Sequence, residues 1–199
     1  MAYLETLTEL EAVNAMLVSI GQSPVNTLSV SGIRDVNLAR KLLTSVARDV
    51  QLYGFAFNTD RNFPITPDID GFLKVPEGVL KIDCETTTSN FVRRKHPTAG
   101  WCIWNADDRT WVFSAAEDFK IVWGYVFDDL PPTARAYIAI SAARRFQMKV
   151  IGASQLDGYN AEDEKRAWAT LVKDERATRD TNLFRNNPTI AGATSNRRY

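Results

Sequence analysis

Four acidic groups stand out in this chain: Asp107–Asp108, Glu117–Asp118, Asp128–Asp129 and the run Glu162–Asp163–Glu164. Two carboxylates at the right separation are enough to hydrolyse a glycosidic bond, one as acid and one as base or nucleophile. Each group falls where a turn or a helix start is expected, and acidic residues at helix N-termini are favoured by the helix dipole without any catalytic role. The one histidine, His96, sits in Arg93-Arg94-Lys95-His96-Pro97, which reads as an exposed turn. A Ser-His-Asp or Cys-His arrangement would need it as an oriented base, and nothing nearby suggests one. It reads as a solvated loop histidine. Cys84 and Cys102 lie in separate strand-like runs, and their spacing leaves open whether they meet. They read as reduced, buried small side chains. Neither a zinc-ligand spacing nor a phosphate-cradling glycine motif occurs, so no metal or cofactor is expected.

Two basic groups remain. Arg93, Arg94 and Lys95 stand near Trp101 and Trp104 in sequence, a pairing that could serve nucleic acid. The plainer reading puts the tryptophans in a sheet core and the charges on a loop. Arg135, Arg144, Arg145 and Lys149 lie partly on one face of an expected helix. They could line a channel through which DNA passes, or pair with acidic groups of a neighbouring subunit.

These residues must be positioned by a chain of 199 residues, enough for one or two small domains with a core. Hydrophobic content of 45% and charged content of 24% exclude wholesale disorder. Twenty-four basic side chains balance 24 acidic ones, which argues against a surface built mainly to neutralise DNA phosphates. The first residues show no secretion signal and no window spans a bilayer, so a soluble chain made in a cytoplasm is expected.

The elements come in three blocks. Thr8 and Glu11 form a capping box before a helix carrying Leu10, Val13, Leu17 and Ile20, which Gly21 and Pro24 end. A second helix runs from Arg34 or Asp35 to Tyr53, with Val36, Ala39, Leu43, Val46 and Val50 on one face. The middle block is strand-like at 72–75, 79–84, 91–93, 101–104, 110–113 and 119–127, with a turn at 105–109. A third helix follows Pro131 and Pro132 to Val150, with Tyr137, Ile140, Ala143 or Arg144, and Met148 in register. A fourth runs from Ser154 to about Thr178, with Leu156, Tyr159, Ala167, Trp168 and Leu171 as sparse apolar positions. The tail beyond is polar and orders only on a partner.

Several segments resemble the tail tubular protein A family, the head-to-tail adaptors of short-tailed bacteriophages. They are AVNAMLVSIGQSPVNTL at 12–28, Gln51-Leu-Tyr-Gly-Phe-Ala-Phe-Asn58, Asp128-Asp-Leu-Pro131, and Tyr137-Ile with Ala142-Ala-Arg-Arg-Phe146, followed by Gly152-Ala-Ser. The resemblance implies an α+β fold: an antiparallel four-helix bundle, halves 1–57 and 128–180, an inserted small antiparallel β domain at 58–127 and a flexible C-terminal arm at 181–199.

It implies a structural virion protein of the tail, a dodecameric ring of this chain between portal protein and tail nozzle protein (tail tubular protein B). The ring would line the ejection channel, with genomic DNA passing and not bound by sequence, and with no membrane partner. The arm residues Leu183, Phe184, Arg185, Ile190, Arg197, Arg198 and Tyr199 would contact the portal, and Arg93, Arg94 and Lys95 would form a nozzle-facing loop. Arg135, Arg144, Arg145 and Lys149 would serve the channel or the subunit contact. The reading leans to no catalytic residue; the alternative is a tail-associated hydrolase of capsule or envelope polysaccharide using paired carboxylates.

Overall fold

The computed structural model of the chain describes residues 6–29, 34–84, 90–152 and 154–186, with backbone alone at 154–160 and 180–186. It is mixed α+β, with four α-helices and small antiparallel sheets. The chain divides into two compact units, one of residues 1–47 with 126–199 and one of 48–125.

The first unit is helical. Helix α1 (Glu9–Ser19) starts at the expected capping box: the Glu11 N–H donates to Thr8 Oγ1 at 3.2 Å, and the Thr8 N–H donates to Glu11 Oε2 at 2.8 Å. Two of the orphan donors at the helix start are thus satisfied. Gly21, at φ +78°, takes the left-handed turn that ends it. Asn14 then clasps the departing chain through both Val25 backbone groups, at 2.8 and 2.9 Å.

Helix α2 (Arg34–Gln51) buries Val36, Ala39, Leu43, Val46 and Val50, the face read from its periodicity. Helix α3 (Pro132–Val150) packs against both α1 and α4 (Ser154–Asn186). Arg135 near its start donates to the Leu7 carbonyl, and Gln147 near its end donates to the Ser19 carbonyl, so α1 and α3 run parallel. Thr133 meets Asp174 and Arg144 meets Glu164, so α3 and α4 run antiparallel.

The buried stripe of α3 is Ala134, Ile138, Ser141, Ala142 and Phe146. It lies one residue away from the expected register: Tyr137 and Ile140 are only half-buried, and Met148 is exposed. Large side chains on the flanks draw the periodicity sideways, while small Ala134 and Ala142 are fully buried. Tyr137 instead packs on Trp168, ring centroids 5.0 Å apart. Helix α4 continues to Asn186, beyond the Thr178 at which periodicity fades.

The second unit is a β fold. Strand β5 (Glu117–Trp123) is central, flanked antiparallel by β1 (Thr59–Ile65) and β2 (Val79–Asp83). Strands β3 (Phe91–His96) and β4 (Gly100–Asn105) form a separate hairpin. Residues 71–75 zip between β4 and the 110–113 segment: the Ile103 N–H donates to the Leu73 carbonyl, the Val75 N–H to that of Trp101 and the Phe113 N–H to that of Gly71, each at 2.9 Å. Period-two alternation turns Leu73, Ile103, Phe119 and Ile121 inward to join Ile65, Val79 and Phe113 in one core. Burying each large apolar side chain contributes about 1.5–3 kcal/mol.

The 105–109 turn forms as expected, pinned by Asn105: its Oδ1 accepts from the Asp107 and Asp108 N–H groups at 3.1 Å. Strand β1 was not expected. Its sequence, Thr-Asp-Arg-Asn-Phe-Pro-Ile, buries only Ile65 fully, and its pairing slips between Asp60 and Phe63, where Asn62 takes φ 55°. A polar edge strand with a bulge and a proline carries almost no alternation.

Candidate assembly interface

Four of the candidate carboxylates help to hold the fold. Asp128 Oδ1 accepts the Glu9 N–H at 2.8 Å, at the start of α1. Asp107 accepts the Asn90 N–H at 2.7 Å, and Asp108 the Asn105 side-chain amide at 2.8 Å. Glu164 takes the Arg144 guanidinium at 2.7 Å. Burial works to raise the Glu164 carboxyl, but the Ser141 hydroxyl and Arg144, with Arg145 beyond, outweigh it and hold the group below the usual carboxylate range. Glu11 is lowered too, by the Thr8 backbone and side-chain hydrogen bonds, and Asp68 by its bond to Lys74 and by the Phe72 N–H. A glycosidase acid needs a shift in the opposite direction. Among the described residues no group of three or more His, Cys, Asp or Glu could hold a metal ion.

His96 is not a solvated loop residue. It ends β3, its ring lies 4.7 Å from Phe72 and 4.9 Å from Trp111, and its Nδ1 accepts the Ala99 N–H at 3.1 Å. It organises the β3–β4 turn. Arg93, Arg94 and Lys95 lie on the same strand, not on a loop. Arg93 stacks 4.7 Å over Trp101 and donates to the Val79 carbonyl at 2.8 Å; Arg94 sits 5.5 Å over Trp104. Trp101 is half-exposed and not a core residue, while Trp104 packs on Trp111 at 4.8 Å. The hairpin therefore presents basic groups braced by aromatic rings. Cys84 and Cys102 are both free thiols, the first partly and the second fully buried.

The four basic residues of α3 differ in exposure. Arg135 is tied down, donating to the Leu130 carbonyl at 2.6 Å and the Leu7 carbonyl at 3.0 Å. Arg144 belongs to the ion pair with Glu164. Arg145 and Lys149 are exposed, one turn apart on a common face. Of the arm residues, Leu183, Phe184 and Arg185 lie on the helical backbone of α4, with side chains outside the described residues. Ile190, Arg197, Arg198 and Tyr199 lie outside the described residues altogether.

What sequence reasoning missed is apolar surface. Val18 at the end of α1, and Met148, Val150 and Ile151 at the end of α3, are all exposed. Beside them a groove of about 530 Å³ runs between α3 and α4, lined by Ile140, Ala143, Ala167, Arg144 and Arg166. Exposed apolar groups gathered at one end of a helix pair mark an interaction surface. The signal was present in the sequence as a helix whose apolar positions exceed one stripe.

Residues 10–181 match the family model described as tail tubular protein. This chain belongs to the tail tubular protein family. It is also similar to tail tubular protein A of Klebsiella phage KP34, 29% identical over 169 residues that cover 84% of this chain and 87% of that protein. The match spans both helical ends and the β unit, so the whole fold carries the relationship. A tail tubular protein has a structural role in the phage tail, assembled with other virion proteins. Among the described residues, no helix is long and apolar enough to cross a membrane.

Proposed function

We propose that this tail tubular protein is the adaptor ring between portal and tail nozzle, a dodecamer lining the channel through which the genome leaves. The observation that carries the reading is the uncovered apolar end of the α1–α3 pair, Val18, Met148, Val150 and Ile151, which a sister subunit would cover. In this reading the helices complete an antiparallel four-helix bundle, formed by residues 1–57 and 128–180, around a β insertion of 58–127. The parallel α1–α3 and antiparallel α3–α4 pairs support that order. The arm from 181 to 199 reaches the portal. Arg93, Arg94 and Lys95 face the nozzle, and Arg145 and Lys149 face the channel or the next subunit. Balanced net charge suits heterologous contacts, in which a basic face meets an acidic one around a ring. DNA passes without sequence recognition, and the chain is made in the host cytoplasm.

Electron microscopy of the full chain mixed with its cognate portal protein tests this. The expected result is a twelve-fold ring stacked on the portal. A chain that stays monomeric and leaves the portal bare overturns the reading.

A further inference from the structure

One apolar side chain is held out in water by an unusual amount of local structure. Ile69 is fully exposed, at 101% of its reference area, at the tip of the loop 67–71. The loop is stapled. Asp68 Oδ1 accepts the Asp70 N–H at 3.0 Å and the Phe72 N–H at 2.8 Å, and Asp68 Oδ2 meets Lys74 Nζ at 2.9 Å. The Asp68 N–H donates to the Phe72 carbonyl at 3.0 Å, and the Gly71 N–H to the Asp68 carbonyl at 2.9 Å. Gly71 has φ +82°, and a Cβ there would come within 2.7 Å of Val112, itself 58% exposed. A rigid tip loses little conformational freedom when it docks. Its charge is acidic: Asp70 is exposed beside Ile69.

The α3–α4 groove has complementary features. Its floor is apolar, with Ile140, Ala143 and Ala167, and its charged lining is two bases, Arg144 and Arg166, against one acid, Asp163. Arg144 is held by Glu164, but Arg166 makes only long contacts, 3.7 Å to Glu162 and 3.9 Å to Asp163, so it can turn to a better carboxylate.

We infer that the 67–71 loop of one copy seats in the α3–α4 groove of a neighbouring copy, with Ile69 on the apolar floor and Asp70 against Arg166. This contact is heterologous, because a loop meets a groove and not its own image. The inference rests on the proposed ring and specifies one of its subunit contacts.

Disulfide trapping in the portal-bound ring tests it. The full chain carries Ile69→Cys and Ala143→Cys on a Cys84→Ser, Cys102→Ala background, and Ile69→Cys with Ser45→Cys is the control. Oxidation should yield a ladder of cross-linked chains from the 69/143 pair and not from the 69/45 pair. Asp70→Lys and Arg166→Glu should each weaken ring assembly about tenfold or more, and the double swap should restore it. A ring that forms on the portal with no 69/143 cross-link, or with assembly indifferent to both charge swaps, overturns this contact and leaves the ring reading standing. Failure of the unsubstituted chain to form a ring overturns both. Loss of nozzle-protein binding by Ile69→Asp in an intact ring also overturns it, by giving the loop a different partner.

Discussion

Gln51 and Tyr125 are joined by a reciprocal pair of hydrogen bonds. The Gln51 side-chain amide donates to the Tyr125 carbonyl at 3.0 Å, and the Tyr125 N–H donates to Gln51 Oε1 at 2.7 Å. Gln51 is the last residue of α2 and is 2% exposed; Tyr125 follows β5. Asn58 reinforces the junction, donating to the carbonyls of Gln51 at 3.0 Å and Trp123 at 2.8 Å. Two buried amides thus close the point at which the chain enters and leaves the β unit. Gln51→Leu should cost about 1–3 kcal/mol, because it strands the part-buried Tyr125 N–H and places no polar group on the Tyr125 carbonyl. Urea denaturation of the full chain reads this as a lowered midpoint, larger than that for substitution of exposed Ser45.

The capping box at Thr8 should matter for α1 alone. Thr8→Ala removes the acceptor for the Glu11 N–H and should lower stability by about 1 kcal/mol. Thr8→Asn should recover most of it. Amide hydrogen exchange along 9–12 would show faster opening in the alanine variant, with the β unit unchanged.

Glu164 gives the helical unit an acid-labile tie. Its carboxyl is lowered in the folded chain from an ordinary value of 4.5, so it contributes stability that is fully present above that value. That contribution is lost as pH falls through the lower folded value. Thermal melting followed from pH 7 to pH 3 should show an acid drop in midpoint that shrinks in Glu164→Gln. An acid drop of unchanged size in that variant would assign it to other carboxylates.

Phe146 is fully buried on α3. Phe146→Ala should cost about 3–5 kcal/mol, since helices on either side cannot close the cavity fully. The same change should reduce assembly with portal, because the exposed end of α3 is held by this contact. Circular dichroism melting and sedimentation on one preparation separate the two effects.

The helical ends were legible because their signals are local. A capping threonine, a left-handed glycine and a proline fix where α1 starts and stops, and the face of α2 follows from spacing alone. The register of α3 was not, since small Ala134, Ser141 and Ala142 belong to its buried stripe while larger flanking side chains dominate any hydrophobic pattern. His96 was misread because Phe72 and Trp111, distant in sequence, come to its ring only through tertiary pairing. Strand β1 was missed because its edge position leaves it polar. Of the candidate site, the charged residues could be named from sequence. Their difference in exposure, with Arg135 and Arg144 half-buried and Arg145 and Lys149 exposed, needed the neighbouring helices.

The pairing of β1 with β5, Thr59 opposite Val122, brings the two ends of the β unit side by side just beyond the Gln51–Tyr125 junction. A segment whose ends meet can be lengthened, trimmed or exchanged as a cassette without altering the path of the flanking helices. The inserted strands can therefore vary in length and sequence at little cost to the rest of the subunit.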